Sequence, residues 1–265
     1  EEKPEEKPEE KPEEKPDEKP EEEPEEKPEV EEDAPSDDRP RLAAGLVEID
    51  AASTTFNAVI SQRGNLLLAL SEGPMQYFDA AARANVGIRK GRYFFEVKLL
   101  ECRTYETWGK KDQQPGWYSL RVGFSTSGSQ DLLIGYKAGS VCFDSEGAFL
   151  HNGEKKKVGS RFKAHQVLGV LLNLDAESPN ANTVSLFCDG ARVSPPQALP
   201  EALREKALYP SVNYKNMTLH MNFGPAPLAP LPFACRMIQD AAEADVEVQE
   251  RADPAKKGEV LFPIV

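Results

Sequence analysis

The chain is short of the residues from which catalytic and metal centres are assembled. Its 265 residues include three histidines, His151, His165 and His220, each in a different segment and none in an HxxH, HExxH or HxE frame, which removes the common zinc-hydrolase patterns. The four cysteines, Cys102, Cys142, Cys188 and Cys235, stand 40 or more residues apart and form no CxxC pair. That spacing excludes the usual structural zinc and thioredoxin-like motifs and fits a reducing, intracellular compartment; Cys142 and Cys188, in apolar strand contexts, read as small buried hydrophobes. No serine occupies a G-x-S-x-G elbow, and the glycine-bearing stretch 135–140 lacks both the Walker spacing and its Gly-Lys-Ser/Thr ending. No run of 18 apolar residues is present and no charged, apolar, small-residue succession opens the chain, so neither a membrane span nor a secretory signal is read. No catalytic set, metal or cofactor is assigned on these grounds.

Positive charge is also scarce, but unevenly. Residues 1–38 hold 21 Asp and Glu against six Lys, a net charge of −15, whereas the whole chain carries −13. The rest, with 24 acids and 26 bases, is close to neutral and too weakly basic for a broad grip on phosphate. From Glu1 to Pro28 the unit Glu-Glu-Lys-Pro repeats, with slips at Asp17 and Glu23. Proline at every fourth position removes helical donors, and with almost nothing apolar to bury the segment cannot offset its ordering entropy. A disordered acidic tail over 1–40 is expected, either a solubilising spacer or a tether for a basic partner. The other end stops inside the apolar run Val260 to Val265, which reads either as a further strand cut short in a fragment or as a short terminal edge strand.

What fills the middle is strand pattern. Tyr93, Phe95, Val97 and Leu99 alternate with Arg92, Phe94, Glu96 and Lys98, and Phe94 breaks the polar face, so that face is expected to be partly covered. Tyr118, Leu120, Val122 and Phe124 alternate likewise, and 167–174 is nearly all apolar, as a central strand of a packed sandwich would be. Asp189-Gly190 predicts a tight hairpin and Asn152-Gly153 a turn, while Leu219, Met221 and Phe223 mark the inward face of a last strand. Helical patches are expected over 200–206 and 236–248. Short strands without a βαβ rhythm predict an all-β antiparallel sandwich.

Several of these segments resemble one family. Gly91-Arg92-Tyr93-Phe94-Phe95-Glu96-Val97 is similar to the G-x-Y-x-F-E-V strand of SPRY domains, with a familiar lead-in at Ala82 to Ile88. Arg121-Val122-Gly123-Phe124-Ser125, then Gly139 to Phe143 with His151-Asn152-Gly153, resemble the next strands of that family. Residues 167–175, Ser185 to Gly190, Leu208 to Tyr214 and Met221-Asn222-Phe223-Gly224 follow in the family's order. The resemblance implies a bent two-sheet sandwich, a concanavalin-like jelly roll over 41–232 followed by a linker with a short helix over 233–265. It also implies a non-catalytic role in which loops on one side hold a protein or peptide partner. Within the family the ending looks most like heterogeneous nuclear ribonucleoprotein U-like proteins, whose SPRY region runs into a P-loop domain. That implies a nuclear location and an indirect association with RNA.

The candidate site follows from the long polar stretch Thr104 to Tyr118, which carries Tyr105, Trp108 and Trp117. Aromatic side chains on a loop over a rigid scaffold give affinity at low ordering cost. Trp117 belongs either to this loop or to the core beside Tyr118. Tyr105 and Trp108, with Arg83, Tyr136 and Tyr214 from loops expected nearby in a SPRY fold, are taken as the lining of a groove for an extended peptide, bound by a monomer.

Overall fold

Alternation along Gly91–Cys102 buries Tyr93, Phe95, Val97 and Leu99 on one face, and a second sheet supplies what covers them. The Phe95 ring meets Phe124 edge-on, with centroids 5.3 Å apart and planes at 86°, and Phe223 at 6.3 Å. Edge-to-face packing of this kind locks two sheets together beyond simple area burial.

The computed structural model describes residues 31–61, 65–103, 118–127 and 132–249. The strands are β1 (Ile49–Thr54), β2 (Ala58–Ile60), β3 (Leu66–Ala69), β4 (Ala80–Ala84), β5 (Val86–Ile88), β6 (Gly91–Cys102), β7 (Ser119–Thr126) and β8 (Ser140–Asp144). They continue with β9 (Ala148–His151), β10 (Glu154–Lys157), β11 (Val167–Leu174), β12 (Thr183–Cys188), β13 (Ala191–Arg192), β14 (Gln197–Ala198), β15 (Leu208–Lys215), β16 (Met217–Asn222) and β17 (Val246–Val248). One sheet runs β1-β4-β15-β7-β8-β9-β10, with β5 beside β15 and β17 beside β5; the other runs β13-β12-β11-β6-β16-β3-β2, with β14 on β12. The ladders are antiparallel, as expected of the sandwich read from the sequence. Asn152 and Gly153, and Asp189 and Gly190, all take positive φ at the tips of the β9–β10 and β12–β13 hairpins, the geometry those pairs favour.

The outer face of β6 is covered too. Phe94 packs with Leu171, Phe187, Phe233 and Met237 in a small second core formed where residues 231–237 lie across the sheet. Gly169 makes room for it: a Cβ there would stand 2.0 Å from Phe94 Cζ. Glu96, also on this face and buried, accepts from Asn222 Nδ2 at 2.8 Å and from the backbone amides of Leu228 at 2.5 Å and Ala229 at 3.3 Å, which pins the segment that carries Phe233 inward.

Two boundaries move. The helix expected over 236–248 is instead two 3-10 turns, Ile238–Asp240 and Glu243–Asp245, followed by β17, which pairs Val246 with Ile88. A sheet partner more than 150 residues back outweighs local helical preference. Residues 233–249 are thus part of the sandwich rather than linker. At the other end residues 31–40, read from the sequence as part of a disordered tail over 1–40, lie on the domain: Ala34 N donates to Ala234 O at 2.7 Å and Arg39 pairs with Asp245 at 2.8 Å, while residues 1–30 lie outside the described residues. The helix expected over 200–206 is present as the single turn α1 (Glu201–Arg204).

Candidate partner-binding surface

β6 ends and β7 begins at one end of the sandwich, and the bases of the connecting stretch are tied down. Arg103 N donates to Asn216 O at 2.8 Å, Ser119 Oγ to Asp79 Oδ1 at 3.1 Å, and Asn216 Nδ2 to Gln76 O at 3.1 Å. Tyr105 and Trp108 themselves, like Trp117, lie outside the described residues.

The other three predicted residues separate. Tyr136 is exposed near this end: it stacks on the Arg121 guanidinium at 4.2 Å, and Arg121 is two residues along β7 from Ser119. Arg83 is at the opposite end of β7, because its Nη1 donates to Thr126 O at 2.8 Å and its Nη2 to Ser53 Oγ at 2.9 Å. At about 3.3 Å per residue, the seven steps of β7 put it on the order of 20 Å from the loop base. It is buried, and burial pulls its guanidinium below the ordinary range. Arg83 therefore ties β1 and β4 to the end of β7 and is not open to a ligand. Tyr214 corrects the expectation more sharply. It pairs with Leu120 and Ala80 in the sheet and points into the core, fully buried, so it lines no groove. Burial also raises its phenol well above the ordinary tyrosine range. Its hydroxyl donates to Leu68 O at 3.2 Å, bracing β3 from beneath.

What β3 shows on its outer side was not anticipated. Leu67 is buried, while Leu66, Leu68 and Leu70 face outward, and Val59 stands directly opposite Leu68 on edge strand β2. Phe56 is 67% exposed, Tyr77 63% and Phe78 55%. Leu70 N donates to Asn57 O at 2.8 Å and Asn57 Nδ2 to Phe78 O at 3.4 Å, which draws these side chains to one corner of the loop end. The leucine run offered a signal, since consecutive Leu66, Leu67 and Leu68 put leucine on both faces of one strand, so the face turned from the core is apolar as well. The isolated aromatics Phe56, Tyr77 and Phe78 offered none. Among the described residues no group of three or more His, Cys, Asp and Glu is placed to hold a metal ion, and the histidines stand apart on β9, before β11 and on β16.

The SPRY-like motifs fall in order on β4 and β5, β6, β7, β8 to β10, β11, β12 and β13, and β15 with β16, so the architecture is a SPRY-like β-sandwich carrying an apolar corner at the end where β6 stops and β7 starts. Among curated proteins the chain is similar to heterogeneous nuclear ribonucleoprotein U-like protein 2: 29% identical over 151 residues to that of Mus musculus, and 28% over 146 residues to that of Homo sapiens. Each match covers 55% of this chain and 18% of the relative, so the chain spans under a fifth of those proteins. No family model matches it. Among solved structures, the SPRY domain of human HERC1 aligns with a TM-score of 0.47 at 17% identity, covering 68% of this chain and 99% of that one.

Proposed function

We propose that this chain is a non-catalytic interaction module that, as a monomer, binds a protein or peptide partner at the loop end of the sandwich. The observation that carries this is the exposure of Phe56, Tyr77 and Phe78 beside the outward leucines of β3. Contiguous apolar surface of this kind on a folded domain marks an interaction site, and aromatic side chains supply most of the affinity in such sites. Tyr105 and Trp108 belong to the stretch that leaves from the same end, and Tyr136 flanks it; these are the groove's proposed contributors. Substituting Tyr77→Ala with Phe78→Ala, and separately Tyr105→Ala with Trp108→Ala, should abolish capture of the partners held by the unaltered protein while shifting stability by no more than about 0.5 kcal/mol. Equal capture by all three proteins refutes the site.

A second reading is favoured by the names of the relatives, which are nuclear ribonucleoproteins by title. On it the chain works in the nucleus and reaches RNA indirectly, as the SPRY part of a longer protein with a P-loop domain beyond residue 265. The near-neutral sandwich supports an indirect contact over a direct one. RNase digestion before capture separates the two: RNA-dependent partners vanish, and partners of the apolar corner stay.

A further inference from the structure

The acidic strap of residues 31–37 is held by a row of arginine and backbone donors on the outer side of β6. Glu31, buried, is received by Arg192 Nη2, by Asn180 Nδ2 at 3.2 Å and by Arg92 Nη1 at 3.5 Å, and Arg92 also donates to Glu32 O at 2.5 Å. Both arginine side chains are themselves less than a tenth exposed. Two residues on, Asp33 Oδ1 accepts from Ala234 N at 2.6 Å, while Ala34 N donates to Ala234 O at 2.7 Å, so the extended strap is held against residue 234 by one backbone and one side-chain bond. Arg236 then donates to Pro35 O and lies 3.8 Å from Asp37. Backbone contacts combined with seats for spaced carboxylates, here Glu31, Asp33 and Asp37, suit an extended acidic peptide. The strap does not fill the space: an open cavity of about 560 Å³ remains between it and the sandwich, bordered by Lys90, Arg92, Arg236 and Asp175.

We propose that the Arg92–Arg192–Arg236 seam is a receptor site for acidic extended peptides, occupied in the free protein by the chain's own residues 31–37. Charge complementarity fixes the occupant's chemistry. With the strap lifted, Arg92 and Arg192 become two neighbouring cations without a counter-charge, which an incoming acidic segment would pair and cover again. A tethered strap competes at an effective concentration in the millimolar range, so a free peptide meets a site whose competent fraction is small. Emptying the seats should therefore raise the apparent affinity for a free peptide.

The experiment uses the full chain and a fluorescein-labelled synthetic peptide of residues 29–39. The triple variant Glu31→Ala, Asp33→Ala, Asp37→Ala should bind the peptide at least about tenfold more tightly than the unaltered chain, and adding Arg192→Ala should remove that gain. A peptide with Gln and Asn in place of its acids should not bind. In the unaltered chain, excess acidic peptide should speed hydrogen exchange at the Ala34 amide and leave the amide of Leu171 protected; this arm does not depend on a variant folding. No gain in the triple variant with its melting transition intact overturns the proposal, as does Ala34 exchange unchanged at millimolar peptide. Equal, Arg192-dependent occupation by a single-stranded RNA of the same charge also overturns it, since the seam would then be an unspecific anion patch.

Discussion

Glu96→Gln tests how the second core is held. The carboxylate is buried on the outer face of β6 and accepts from Asn222 Nδ2 at 2.8 Å and from Leu228 N at 2.5 Å, with a weaker contact from Ala229 N at 3.3 Å. Both short bonds fall on Oε2, so an amide of the same shape keeps them through its carbonyl oxygen but without the charge, and turns its NH2 toward the Ala229 amide, a donor facing a donor. Hydrogen bonds to a charged group contribute about 1.5–3 kcal/mol each, and an unsatisfied buried donor costs about 1–3 kcal/mol. Leu228 is exposed enough for its amide to find water if the segment lifts, which limits the loss. The expected destabilisation is about 2–3 kcal/mol, against about 4 kcal/mol for Glu96→Ala, which removes every acceptor. For a domain of roughly 200 residues the conservative change should lower Tm by about 6–10 °C. Urea unfolding followed by circular dichroism gives the free energy, with an unchanged urea slope showing that the native state is otherwise intact. Lifting of the segment would bare Phe94 and Phe187, so an increase in dye binding to apolar surface should accompany the loss. A Glu96→Gln protein within about 0.5 kcal/mol of the parent would refute the idea that this carboxylate anchors residues 224–237.

Gly169→Ala should destabilise the fold by about 1–3 kcal/mol, because the new methyl would stand 2.0 Å from Phe94 Cζ; combining it with Phe94→Leu should return part of the loss in a thermal melt, and strict additivity of the two would count against the clash. Alkali should unfold the protein within a defined window. Burial, with the carboxylates of Asp245 and Glu247 beside them, pushes the phenols of Tyr93 and Tyr209 up to about 12 from an ordinary value of 10.0. The unfolded chain ionises first, so stability is full below pH 10 and lost between 10 and 12. Absorbance at 295 nm and circular dichroism should change together there, and ionisation of every tyrosine near pH 10 with the fold intact would contradict the burial.

The sandwich was legible because its signal is local and periodic. Alternation on β6, β7 and β16 gave the inward faces, Asp189-Gly190 gave a hairpin through its preference for positive φ, and Phe94 on an otherwise polar face announced a cover without saying what it was. Features that depend on distant partners were not legible. Residues 31–40 continue the tail's composition, and nothing local distinguishes Glu31 from the glutamates before it; Arg92 and Arg192, 61 and 161 residues away, do so. β17 was read as helix because its partner β5 is equally remote in sequence. Within the site, Tyr214 was misplaced by assigning it to a loop, although its spacing from Val212 puts both on the inward face of β15. Phe56, Tyr77 and Phe78 carry no pattern, since an exposed aromatic in a turn and a buried one look alike until the chain is folded around them.

Asp245 joins the two flanks of the domain. Its carboxylate accepts from Arg39 through both guanidinium nitrogens at 2.8 Å and from the Tyr93 hydroxyl at 2.7 Å, and its carbonyl accepts from Arg89 N at 2.8 Å. It thereby links Arg39, at the inner end of the acidic strap, to the segment that leads into β17. A pull applied between the two ends of the described chain would load the contacts of the strap, this clasp and the short β5–β17 ladder before the long ladders of the main sheets. Under tension the sandwich would act as a bead with a small fuse at its neck: the clasp could open and lengthen the chain while the apolar corner at the loop end kept its shape.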